Sequence, residues 1–144
     1  MPRSRNPFAN NVTQYRPTRL DDIPTESDEA IALVRWLRVK KIPHTHIANE
    51  GKFNVQYMKK RAASGVNAGF PDYVIFLPNK LLAIELKRRP KITKTGKETV
   101  SHCKVSDEQI EWLETINCYS YAAALVAYGC EHAIELITKE LNHG

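Results

Sequence analysis

The chain has 144 residues, a hydrophobic share of 42% and a formal net charge of +5, which suit one soluble globular domain with a sizeable core. It contains no apolar run near the roughly 20 residues that span a bilayer, and its start, MPRSRNPFANN, lacks the apolar segment of a signal peptide. The three cysteines are too widely spaced for a disulfide framework or a zinc ribbon, so we expect reduced thiols and a cytoplasmic location, in the host cell if a phage encodes the chain.

Basic and acidic residues are unevenly distributed along the chain. Residues 30–104 contain sixteen Lys or Arg and four acidic residues, whereas the chain from residue 106 onward contains seven acidic residues and one Lys. A basic region suits contacts with the phosphates of a nucleic acid. A solvated surface with a skewed charge pattern explains the same counts, so charge alone does not decide between the two.

The first part of the chain, residues 1–19, contains four Arg, three Pro and no acidic residue. We expect an extended or disordered basic arm there, which contacts a nucleic-acid backbone, wraps a partner subunit or stays solvated. Residues 20–144 are expected to form the folded domain. Apolar periodicity, caps and turn residues predict a helix over 27–41, a strand over 44–49, a helix over 53–65, strands over 72–77 and 81–88, a helix over 106–117, a strand over 121–128 and a helix over 130–142.

This order of elements predicts an α/β domain with one central mixed sheet flanked by helices. Residues 89–105 are polar and basic and are predicted to form a loop. Thr25 or Ser27 is expected to cap the first helix and Ser106 the third.

The stretch GFPDYVIFLPNKLLAIELKRR, residues 69–89, places charged residues inside an apolar hairpin. Glu85 and Lys87 share one face of the second strand because side chains alternate along a strand. Antiparallel pairing around a turn at Asn79–Lys80 would place Asp72 opposite about Lys87, within a residue or two of Glu85. Two carboxylates and an ammonium group are therefore predicted to converge at the open end of the hairpin.

Such a cluster suits a hard divalent cation, which relieves the repulsion between two carboxylates. Mg²⁺ is held by one or two carboxylates together with water and phosphate oxygens. It lowers the pKa of a bound water and stabilises charge on a phosphate, and an adjacent lysine stabilises charge that develops in the transition state. Taken alone, the same pattern also fits an Asp at the start of a strand followed by a surface Glu–Lys pair.

The sequence words around this cluster resemble those of a known enzyme family. GFPD followed by ELK resembles the signature of the PD-(D/E)XK nuclease superfamily. NEG, GVNAGFPD, AIELKR and VSDEQIEWLE, in this order, are similar to the VRR-NUC family, especially its small stand-alone members from phages and bacteria. The resemblance covers residues 27–144 and does not cover the arm. It implies a restriction-endonuclease-like core and a DNA endonuclease that requires Mg²⁺ or Mn²⁺ and leaves 5′-phosphate and 3′-hydroxyl ends.

The resemblance also assigns roles to the charged residues of the hairpin. Asp72 and Glu85 match the metal-binding carboxylates, the backbone carbonyl of Leu86 matches a further metal ligand, and Lys87 matches the catalytic lysine. Glu50 matches an acidic residue that completes the metal site, although a surface position in the turn NEGK would explain it as well.

Gln109 has two readings that are compatible with each other. The resemblance places it near the metal or the substrate, and its spacing from Ser106 predicts a capping box. Phosphate contacts are expected from a basic patch, each member of which could also be a solvated charge: Lys52, Lys59, Lys60, Arg61, Arg88 and Arg89.

The predicted substrate is branched DNA such as a four-way junction. The small family members resemble dimeric Holliday-junction resolvases, and a homodimer presents two active sites to two strands. The alternatives are a flap or nicking nuclease, a nuclease subunit that serves a helicase and, from another class, a catalytically inactive DNA-binding protein with this fold.

Overall fold

The computed structural model describes residues 22–48 and 53–143. The basic arm predicted over residues 1–19 lies outside them. The elements in chain order are α1 (Glu26–Val39), β1 (His44–His46), α2 (Val55–Ala63), β2 (Tyr73–Phe76), β3 (Leu81–Lys87), β4 (Lys91–Ile92), β5 (Glu98–Thr99), a 3₁₀ turn (Ser101–Cys103), α3 (Asp107–Ile116), β6 (Ala122–Tyr128) and α4 (Cys130–Asn142). Within the described ranges, no helix combines the length and apolar character needed to cross a membrane.

The central sheet is mixed and has the strand order β1-β2-β3-β6. The first two pairings, β1 with β2 and β2 with β3, are antiparallel, and β3 pairs with β6 in parallel. Strand β3 lies between two neighbours, and its five central residues, 82–86, are all buried. Both faces of the sheet are covered, as expected for a strand that carries a nearly continuous apolar run.

Two apolar clusters lie on the two faces of the sheet. One cluster joins α1 and α4 to the sheet through residues such as Leu33, Ile84 and Ile137. The other joins α3 to the sheet through residues such as Ala83 and Leu113. Because side chains alternate along β3, the side chain of Glu85 points to the same face as Ala83, toward α3.

All eight predicted elements are present in the predicted order, with bounds shorter by one to three residues at several ends. Thr25 caps α1, and Ser106 caps α3 in the predicted capping box. The region 89–105 differs from the prediction, because β4 and β5 pair there as a short hairpin. Its tight turn at Thr93–Lys97 contains Gly96 with a φ of +81°, a conformation that glycine adopts without strain.

The register of the predicted hairpin is two residues away from the prediction. Tyr73 pairs with Ile84, so the continued register places Asp72 opposite Glu85 rather than opposite Lys87. The prediction was wrong because the turn centres on Pro78–Asn79, where the Leu77 N–H donates to the Lys80 carbonyl at 3.0 Å. The two carboxylates are therefore closer in register than the sequence suggested.

Candidate active site

Asp72 directly precedes β2, the strand between β1 and β3, and is half-buried. Its side-chain Oδ2 accepts a hydrogen bond from the backbone N–H of Leu86 at 2.9 Å. Its backbone carbonyl accepts one from the N–H of Ile47 at 2.7 Å. These contacts tie Asp72 to β3 and to the residue that follows β1, so the carboxylate is held at the edge of the sheet.

Glu85 lies in the middle of the sheet on β3 and is only 2% exposed. One of its oxygens, Oε1, accepts a hydrogen bond from Gln109 Nε2 at 2.6 Å and lies 3.3 Å from Lys87 Nζ. The other oxygen, Oε2, is buried and has no hydrogen-bond partner among the described residues. A buried carboxylate oxygen without a partner is costly, so an additional group is expected at this position.

The pKa of Glu85 is raised from 4.5 to about 8. Burial is the largest cause because it penalises the charged carboxylate, and the negative charge of Asp72 raises the pKa further. The Lys87 ammonium group acts in the opposite direction, and so does its hydrogen bond to Glu85. In the absence of a cation, the site therefore holds a proton near neutral pH.

The donor set fits a hard divalent cation. The atoms available are carboxylate oxygens of Asp72 and Glu85, and no group of three or more His, Cys, Asp or Glu side chains forms within residues 22–48 and 53–143. Mg²⁺ is commonly held by one or two carboxylates with water and phosphate completing its shell, whereas a structural zinc site needs four protein ligands. A cation at Oε2 would satisfy the unpartnered oxygen and displace the proton.

Helix α3 is positioned against the segment that leads to Asp72. Gly69 has a φ of +88°, and a Cβ added there would lie 2.6 Å from the backbone carbon of Glu108. Trp112 donates from Nε1 to the carbonyl of Ala68 at 3.2 Å, and its ring packs edge-on against Phe70 at 5.1 Å. Only glycine permits this close approach, which carries Gln109 to the carboxylate of Glu85.

A solved structure of a VRR_NUC domain protein is similar to the chain, with a TM-score of 0.64 and a sequence identity of 21%. The likeness covers 84% of this chain and 91% of the other. The chain has the VRR_NUC fold. This finding confirms the predicted fold class and, at the level of the fold, the resemblance seen in the sequence motifs. The sequence matches no protein-family model and no curated relative.

The VRR_NUC fold brings together most of the residues predicted for the site. Asp72, Glu85, Lys87 and Gln109 meet at the end of β3 where it reaches the N-terminus of α3. Gln109 also completes the capping box, since its Oε1 accepts from the Ser106 N–H at 2.8 Å and its own N–H donates to Ser106 Oγ at 3.2 Å. Its side chain thus completes the predicted capping box and also contacts the Glu85 carboxylate. Two predicted residues, Glu50 and Lys52, lie outside the described residues.

Arg88 and Arg89 are half-buried, and their guanidinium groups contact other parts of the chain. Arg88 donates from Nε to the Pro24 carbonyl at 2.9 Å and from Nη2 to the Ile23 carbonyl at 2.8 Å. Arg89 forms an ion pair with Glu29, a carboxylate that is 1% exposed. Both guanidinium groups hold the start of α1 to the end of β3, and we assign them this structural role.

The other predicted basic contacts lie on α2. Lys59 and Lys60 are exposed, and Arg61 is half-buried with its guanidinium carbon 4.6 Å from the centre of the Phe53 ring. None of the α2 residues is buried. This helix therefore presents its charges to solvent beside the candidate site.

Glu26 is a site residue that the sequence reasoning missed. It lines a cavity of about 330 Å³ together with Asp72, His46 and Leu86, and its charge also raises the pKa of Glu85. The sequence signal was ambiguous, because an acidic residue in the first turn of a helix is ordinarily explained by the helix dipole. Only the packing of α1 against the sheet shows that this first turn faces the acidic site.

The cysteines near the site are not activated nucleophiles. Burial raises the pKa of both the Cys103 and the Cys130 thiol to about 11. A thiol with such a pKa stays protonated at neutral pH and reacts slowly.

Proposed function

We propose that this chain is a metal-dependent DNA endonuclease of the VRR-NUC type that hydrolyses phosphodiester bonds in branched DNA. The observation that carries the proposal is the Glu85 carboxylate, which is buried beside Asp72, contacts Lys87 through one oxygen and leaves the other oxygen without a partner among the described residues. A core carboxylate with these neighbours has a clear use in phosphoryl transfer and no evident use in stabilising the sheet.

Mg²⁺ or Mn²⁺ would be held by Asp72 and Glu85, with the backbone carbonyl of Leu86 as a further ligand. Glu50 remains the predicted acidic residue that completes this set. Glu26 lines the cavity that opens at Asp72 and adds negative charge near Glu85. When bound, the ion supplies Lewis-acid stabilisation of phosphate charge and lowers the pKa of a coordinated water.

Lys87 and Gln109 position and balance the charge of this site. The side chain of Lys87 is 12% exposed, so its ammonium group is largely desolvated and can donate to a phosphate oxygen or to the attacking water. Gln109 fixes the rotamer of Glu85 by donating to Oε1, and α3 in turn fixes Gln109. The reacting groups are therefore held before the substrate arrives, which lowers the cost of orienting them.

The proposed substrate is branched DNA, and the proposed assembly is a homodimer. Two copies of the site related by a two-fold axis can cut two strands of a four-way junction, which is itself symmetric. The exposed basic side chains of α2 suit contacts with phosphates of the arms. The alternatives use the same groups differently. A flap or nicking nuclease or a nuclease subunit of a helicase would cleave other DNA structures, and an inactive DNA-binding protein would bind DNA without cleaving it.

A cleavage panel tests this proposal. Four-way junction, flap, nicked, single-stranded and linear duplex DNA are compared at one salt concentration with Mg²⁺, Mn²⁺ or EDTA. We expect cleavage of the four-way junction with either metal and none in EDTA. Asp72→Ala and Lys87→Ala should reduce the rate by about 10²-fold or more, the loss typical of removing one group that stabilises transition-state charge.

Lys80→Ala is the matched control for Lys87→Ala. Lys80 also pairs with a glutamate, Glu140 at 2.8 Å, but the pair is attached at the other end of β3, away from Asp72. The control should cut at the wild-type rate. Cleavage that persists in EDTA would contradict the metal, and a Lys87→Ala variant as fast as Lys80→Ala would contradict the assigned role of the lysine. A monomer in sedimentation that prefers linear duplex would contradict the junction and the dimer.

A further inference from the structure

Helix α2 presents an apolar and basic surface to solvent. Val55 is 70% exposed, Met58 51% and Tyr57 46%, and none of the residues of the helix is buried. Large apolar side chains gathered on one exposed element mark an interaction surface more often than chance. Because the helix does not form part of the core, its side chains are available for binding.

A groove connects this helix to the candidate active site. Its volume is about 340 Å³, within the range of ligand sites. It is lined by Phe53, Met58 and Arg61, at and next to α2, and also by Asp72 and Gln109 of the candidate site. We call this the α2 groove. Anything that occupies it lies next to the carboxylate that the proposed metal would bind.

Two residues that line the α2 groove, Phe53 and Arg61, form a stacking platform with Tyr57, which lies outside the groove lining. The Phe53 and Tyr57 rings lie 4.9 Å apart. The Arg61 guanidinium carbon is 4.6 Å from the centre of the Phe53 ring and 5.7 Å from that of Tyr57. Nucleobases stack on aromatic rings and on guanidinium planes, and such stacking tolerates any base because every base has a π-face.

The positive charge of α2 suits a nucleic-acid strand and distinguishes the α2 groove from the neighbouring cavity at Asp72. Lys59, Lys60 and Arg61 are consecutive on α2, and the helix contains no acidic residue. The second cavity that opens at Asp72 is lined instead by Glu26 and His46. A polyanionic strand is therefore favoured on the α2 side.

We propose that the α2 groove binds an unpaired nucleobase of the strand whose phosphate lies at Asp72. The proposal rests on the proposed nuclease function and refines its substrate class. A paired base is stacked inside the duplex and cannot enter a side groove without being extruded. DNA with an unpaired nucleotide next to the scissile phosphate, as at a branch point or a bulge, would enter at lower cost.

Binding is measured in EDTA, so that cleavage plays no part in the result. The probe is a fluorescein-labelled duplex with one bulged thymidine, compared with the same duplex in which the bulged position is abasic. Fluorescence anisotropy gives the ratio of the two dissociation constants. We expect the wild-type chain to bind the thymidine probe about five-fold or more tightly, the low end of the effect of one stacked base.

Phe53→Ala and Met58→Ala should bring this ratio close to one. Val55→Ala is the matched control, because Val55 lies on the same helix and is more exposed but does not line the groove. The control should keep the wild-type ratio. Since Phe53, Val55 and Met58 are all exposed, these variants are expected to fold, and circular dichroism verifies it.

Two results would overturn the proposal. One is a wild-type ratio near one. The other is a ratio that Phe53→Ala and Met58→Ala leave unchanged. If these variants leave the ratio unchanged and only convert a dimer to a monomer in sedimentation, a second copy of the chain occupies the groove in place of a nucleobase. A chain that cuts none of the DNA panel but keeps the thymidine preference would contradict the nuclease function and leave the groove assignment standing.

Discussion

Replacing Glu85 by Gln should stabilise the metal-free protein at pH 8 and remove most of the pH dependence of its stability. The pKa of Glu85 is about 8 in the folded chain, against 4.5 for an unperturbed glutamate. Between these values the folded chain binds more protons than the unfolded chain, so the free energy of unfolding falls as the pH rises from about 5 to about 8. The amide of Gln does not ionise, so the variant does not lose stability in this way as the pH rises.

The size of the change in unfolding free energy follows from the shift in the pKa of Glu85. At 1.36 kcal/mol for each pKa unit, a rise from 4.5 to about 8 corresponds to about 5 kcal/mol over the whole window. Burial leaves little solvent screening to discount, since Glu85 is only 2% exposed. Gln can keep an acceptor toward Gln109 but loses the ion pair with Lys87, so we expect a net gain of about 2–4 kcal/mol at pH 8.

The assay is urea denaturation in EDTA at several pH values between 5.5 and 8. The matched control is Glu140→Gln, which removes a glutamate paired with Lys80 at 2.8 Å and should leave the wild-type slope unchanged. Adding Mg²⁺ at pH 8 should stabilise the wild type, by about 2.7 kcal/mol at one hundred times the dissociation constant, and leave Glu85→Gln unaffected. The reasoning is refuted if the wild-type stability is flat or rises over this range, or if Glu85→Gln keeps the wild-type slope.

Three further predictions test the support of the site by urea denaturation and cleavage assays. Gly69→Ala should lower the free energy of unfolding by about 2 kcal/mol or more and slow cleavage, because its Cβ would meet the backbone of α3. The control is Gly65→Ala, which has a φ of +96° and open space around it and should lose about 1 kcal/mol. Equal losses would contradict the close approach at Gly69. Ser106→Ala should lose about 1 kcal/mol of stability from the helix cap and retain most of the cleavage activity. Gln109→Ala should lose both the stability and the activity. Equal cleavage rates of the two variants would contradict the role of Gln109 at Glu85. Arg89→Met should cost about 3–5 kcal/mol because it leaves a buried carboxylate without its ion partner. A change below about 1 kcal/mol would contradict the structural role assigned to this ion pair.

The sequence by itself determined the elements, their order and the location of the acidic hairpin. Caps such as Thr25 and Ser106 and the alternation of apolar residues are local features, readable without any tertiary contact. The predicted meeting of Asp72 with Glu85 was also local, because a short turn leaves an antiparallel hairpin few possible registers.

Only the tertiary structure decided which charges are buried and what they contact. Arg88 and Arg89 follow the site motif directly in sequence, yet contacts with residues about 60 positions away occupy their guanidinium groups. Glu26 joins the acidic site because α1 packs against the sheet, and the raised pKa of Glu85 exists because β3 is covered on both faces. The physical reason is the same in each case: desolvation and charge–charge contact depend on which distant elements pack together, and local sequence does not encode that packing.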